Sequence, residues 1–111
     1  MSCPLAEREC VPCRGGVPPL EGETLRALLA ELGNGWEAPE GKRLEKEFKF
    51  PGFREALAFA DRVGELADGL NHHPDITVAW SRAVVVVWTH KIGGLSEADF
   101  VFAAKVDLII S

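Results

Sequence analysis

Residues 83–90 read Ala-Val-Val-Val-Val-Trp-Thr-His, and this run most limits what the chain can become. Consecutive β-branched residues favour extended backbone. A strand apolar on both faces belongs in the middle of a sheet, with cover on each side. The surrounding segments read as its partners. Residues 44–50 place Leu44, Lys46, Phe48 and Phe50 on one side and Glu45, Glu47 and Lys49 on the other. That alternation predicts a half-buried strand, ended by Pro51-Gly52. Ile76, Val78 and Trp80 share a face of a strand over 76–80, and Ser81-Arg82 turns it into the central strand. A short strand is expected over 36–39, before a turn at Glu40-Gly41.

Three helices complete the chain. Leu25, Leu28, Leu29 and Leu32 fall on one helical face, predicting a helix over 20–32 that Gly33-Asn34-Gly35 stops. Phe53, Leu57, Ala60, Gly64, Ala67 and Leu70 form the stripe of a helix over 53–70. Gly69 sits near its C-cap, and Pro74 keeps His73 out of helical angles. Ser96-Glu-Ala-Asp99 is a capping-box-like start to a third helix, reaching about residue 110. The order α, short β, β, α, β, β, α predicts an α+β fold: a four-stranded antiparallel sheet with three helices packed on one face. Helices on one face leave the other side of 84–88 bare, which calls for a partner subunit.

A length of 111 residues allows one domain. Residues 1–19 hold four of the seven prolines, the Gly15-Gly16 pair and all three cysteines, so they read as a leader before a domain over 20–111. Cys10 and Cys13 have the spacing of half a zinc site. Cys3 adds a third thiolate, but no fourth ligand lies nearby. Twelve basic against seventeen acidic residues give a net charge of −5, which argues against nucleic acid as the primary ligand. No apolar run approaches the roughly 18–20 residues needed to cross a bilayer. The N-terminus has no apolar signal core, so a cytoplasmic protein is expected.

Candidate chemistry concentrates in the three histidines, His72, His73 and His90. Two follow the end of the second helix, and the third ends the central strand. Imidazole gives and takes protons near neutrality, so three together suggest proton transfer or metal ligation. A metal reading would use them with one of Asp68, Asp75 or Asp99. The spacing gives it no support, and adjacent histidines on extended backbone point to opposite sides. Neither a nucleophile elbow nor a phosphate-cradling glycine loop is present.

The composite Leu70-Asn-His-His-Pro74, Trp80, Thr89-His90 and Gly94-Leu-Ser-Glu-Ala-Asp99 resembles the signature of the pterin-4a-carbinolamine dehydratase family. Gly35-Trp36 and Glu47-Phe48-Lys49-Phe50 followed by Phe53 fit the same pattern. The resemblance covers about residues 20–111. It implies an α+β fold assembled as a homodimer or homotetramer. It also implies a lyase that dehydrates 4a-hydroxytetrahydropterin to quinonoid dihydropterin, in recycling of the pterin cofactor of aromatic amino acid hydroxylases. No metal or redox cofactor is implied. By resemblance, His72 and His90 are the acid/base pair, and His73 binds and orients the pterin. Asp99 pairs with His90, while Trp36, Asp68 and Pro74 contribute to substrate binding. Relatives often carry Glu at the position of Asp68 and Asp at that of Asn71. An alternative implied function is a dimerisation cofactor for a transcription factor, docking through the helices without catalysis.

Overall fold

The computed structural model describes residues 18–110. The leader expected over 1–19, with Cys3, Cys10 and Cys13, therefore lies almost wholly outside the described residues. Three α-helices and three strands follow: α1 (Gly22–Leu32), β1 (Leu44–Lys49), α2 (Phe53–Leu70), β2 (Asp75–Ala79), β3 (Arg82–Val87) and α3 (Glu97–Ile109). The sheet is antiparallel in the order β1-β3-β2, with the valine-rich strand in the centre.

The sheet has three strands, which corrects the expected four. Residues 36–39 make only a single bridge, Glu37 to Glu45. Pro39 then opens a short 3₁₀ turn, and Glu40 within it takes a positive φ of 57°. Proline has no N–H to extend a ladder, so the segment cannot become a fourth strand.

Registry explains the two faces of β3. Leu44, Phe48, Ala83, Val85 and Val87 point into the core and are buried. There they meet Phe59, Val63 and Ala67 of α2 and Phe100, Val101 and Val106 of α3. α2 packs on β2 and β3, α3 packs on β1, and α1 joins through α3. On the other face Val84 and Val86 are only half-buried. Their neighbours in register are polar: Glu47 and Thr77 flank Val84, while Glu45 and Asp75 flank Val86. The second apolar face is thus a stripe two valines long between polar strands.

Lys46 falls on the core side of β1, where a charge needs a partner. Its Nζ lies 2.8 Å from Asp107 Oδ1 of α3. Asp107 Oδ2 also accepts from Trp36 Nε1 at 3.0 Å and Asn34 Nδ2 at 3.3 Å.

Candidate active site

The C-terminal end of α2 builds one side of the site. Asn71, not the expected Gly69, takes the left-handed cap conformation (φ 53°, ψ 43°), and its N–H reaches the carbonyls of Ala67 and Asp68. Asparagine tolerates this region better than most residues. Pro74 then forces His73 towards extended angles. Successive extended residues point to opposite sides, and the two histidines part accordingly. His72 is buried, with Nε2 2.7 Å from Asp99 Oδ1. His73 is exposed, with Nε2 2.9 Å from Asp68 Oδ1.

The run-out of β3 builds the other side. The ladder ends at Val87, but Thr89 remains extended (φ −92°, ψ 104°). Trp88 and His90 therefore share one side, and Thr89 points to the other. Thr89 turns inward and donates its hydroxyl to Asp99 Oδ2 at 2.8 Å. The rings of Trp88 and His90 lie flat on each other, with centroids 4.3 Å apart and planes 7° from parallel. Thr89 and Gly94 bond back to each other around a 3₁₀ turn at His90–Ile92. Gly94 must be glycine here, because a Cβ would come within 2.8 Å of Pro19 Cβ.

Asp99 joins the two sides. It is fully buried at the third position of α3. Oδ1 faces His72, and Oδ2 accepts from Thr89 and from the Ser96 backbone N–H at 2.9 Å. Donors from three directions satisfy a carboxylate that would be costly to bury alone. The carboxylate accepts, so His72 carries its proton on Nε2 and keeps Nδ1 for exchange. The same side chain completes the capping box, so its helix-capping and histidine-orienting roles coexist.

Between the two sides lies a hollow of about 410 Å³, lined by His72, His73, His90, Pro74, Trp88, Lys91 and their neighbours. That volume suits a small organic molecule. Among the described residues no group of three or more His, Cys, Asp or Glu is placed to hold a metal ion.

The family model described as Pterin 4 alpha carbinolamine dehydratase matches residues 18–109. The chain belongs to the pterin-4-alpha-carbinolamine dehydratase family. A protein of Rubrobacter xylanophilus, assigned provisionally to that activity by name, is 61% identical over 103 residues, covering 93% of this chain and 95% of the relative. A Rickettsia bellii protein of the same name is 47% identical, covering 98% of this chain and 96% of the relative. A crystal structure described as a transcriptional coactivator/pterin dehydratase from Brucella melitensis superposes with a TM-score of 0.77 at 30% identity, covering 84% of this chain and 99% of that one.

Set against the family signature, the seven residues read from the sequence divide into three groups. His72, His73, His90 and Pro74 line the hollow. Asp68 and Asp99 stand behind His73 and His72. Trp36 lies apart from it, buried, with its indole N–H on Asp107. The expected pairing of Asp99 with His90 is corrected: Asp99 holds His72, and its link towards His90 runs through Thr89. Two lining residues were not singled out from the sequence, Trp88 and Lys91. Trp88 could have been found from its position two before His90 on extended backbone.

Proposed function

We propose that this chain dehydrates a 4a-hydroxytetrahydropterin by histidine acid–base catalysis. The observation that carries the reading is the meeting of the adjacent His72 and His73 with His90, from a different element, on one hollow in a member of this family. The C4a hydroxyl leaves poorly unless protonated, so an acid is needed. His90 supplies that proton and the C4a–O bond breaks to release water. The N5 lone pair forms the C4a=N5 bond, and the N5 proton passes to Nδ1 of His72. Solvent returns both histidines to their starting states. His73, held by Asp68, orients the pterin from the open side. The step involves no net oxidation, so it calls for no redox cofactor. A substrate of the tetrahydrobiopterin type, released by an aromatic amino acid hydroxylase, fits this chemistry.

The decisive experiment follows dehydration of 4a-hydroxytetrahydropterin against its uncatalysed rate. His72→Ala and His90→Ala are each expected to lower turnover by about 10²–10⁴-fold, the usual contribution of a general acid or base. Near-normal turnover in both variants would remove the mechanism.

A second reading, protein docking through the helices, is favoured by Phe53 and Leu57 of α2, which are 46% and 49% exposed. An outward apolar pair on a helix suits a partner helix, from a second copy of this chain or from another protein.

A further inference from the structure

We propose that Trp88 is a positioning residue for His90, an inference that rests on the acid–base reading above. The three imidazoles are restrained in two different ways. His72 and His73 each commit Nε2 to a carboxylate. His90 is exposed, and among the described residues neither of its ring nitrogens has a hydrogen-bond partner. An exposed side chain at a turn samples several rotamers unless something holds it. The indole of Trp88 does so, with the rings 4.3 Å apart and 7° from parallel.

The difference suits the work assigned to each ring. A carboxylate fixes an imidazole by consuming one of its N–H groups. An aromatic face fixes the plane of the ring and leaves both nitrogens at its edge free to meet substrate. A proton donor aimed at the C4a hydroxyl benefits from the second arrangement. The restraint also has an anchor. Thr89, between the stacked residues, is tied to Asp99 through its hydroxyl. One buried carboxylate therefore holds His72 directly and sets the backbone from which the Trp88–His90 pair projects. Lys91, the next residue, is exposed on the same hollow and leaves the indole as the ring contact of His90.

The test compares Trp88→Leu, Trp88→Phe, His90→Ala and the Trp88→Leu/His90→Ala pair, in turnover and by NMR of the histidine rings. Trp88→Leu is expected to lower kcat about tenfold with KM within about twofold, because misaimed groups cost rate rather than affinity. Trp88→Phe, which keeps an aromatic face, should recover most of the loss. In the His90→Ala background, Trp88→Leu should cost nothing further. The His90 ring-proton signal, shifted upfield by the indole in the parent chain, should move downfield in Trp88→Leu. A raised KM at unchanged kcat, losses that multiply in the double variant, or an unmoved His90 signal would each overturn the proposal. Should Trp88→Leu fail to fold, Trp88→Phe with and without His90→Ala carries the same test through a smaller kcat loss, about threefold. If the parent chain itself does not outpace the uncatalysed reaction, it is the acid–base reading that fails, and the NMR arm still reports on the stacking.

Discussion

Asp99 answers to four groups at once: the His72 ring, the Thr89 hydroxyl, the Ser96 backbone N–H and the first turn of α3. Replacing it by asparagine keeps the size but puts an NH₂ where one of three donors now points. A buried donor facing a donor costs about 1–3 kcal/mol. Asp99→Asn should therefore lower unfolding stability by about that amount in urea denaturation. It should also lower kcat on the order of 10²-fold or more, because His72 loses the partner that keeps its proton on Nε2. Unchanged kcat in a folded Asp99→Asn variant would separate His72 from this partner. The family resemblance implied His90 as that partner. Extended backbone decides otherwise: at the end of β3 it is Thr89 that turns inward, while Trp88 and His90 turn out.

Elements meet at a second carboxylate, the half-buried Asp107. It ties α3 to β1 through Lys46 and to the segment after α1 through Asn34 and Trp36. Lys46 also lies 4.6 Å from the ring centroid of Phe48, so its stem is packed as well as its charge. Both ends of the ion pair are largely shielded, with side-chain exposures of 15% and 13%. Asp107→Ala should cost about 1–3 kcal/mol in urea denaturation, since it strands Lys46 and a buried indole N–H together. It should leave the histidine hollow intact, so turnover per folded molecule should stay close to the parent value. The limits of 53–70 and 44–50 were legible because helix and strand each repeat within a few residues, but the buried stripe of α2 runs through Ala56, Phe59, Val63 and Ala67 and leaves the expected Phe53 and Leu57 outside. α2 spans its expected limits, and β1 stops one residue short. The segment after α1 was misread as a strand because its pairing stops at the single Glu37–Glu45 bridge, where Pro39 opens a 3₁₀ turn.

Over the whole molecule, helices gather on one face of a three-stranded sheet, and the histidine hollow opens where α2 ends and β3 runs out. No helix among the described residues is long and apolar enough to cross a membrane. Phe53 and Leu57 of α2 face outward. If the chain self-associates there, Leu57→Glu should lower the mass seen in analytical ultracentrifugation without unfolding the domain, because an exposed charge costs a monomer little. An unchanged mass in an associating protein would move the interface elsewhere. The helices, the strands flanking the central one and the α+β class were settled by the sequence itself. Each rests on a short repeat or on residue types whose chemistry travels with them. The width of the sheet, the partner of Asp99, the removal of Trp36 from the hollow and the stacking of Trp88 on His90 were decided only by tertiary structure. Those outcomes depend on which buried donor finds which acceptor across distant elements, and on which way an extended residue faces once the strand beside it has ended.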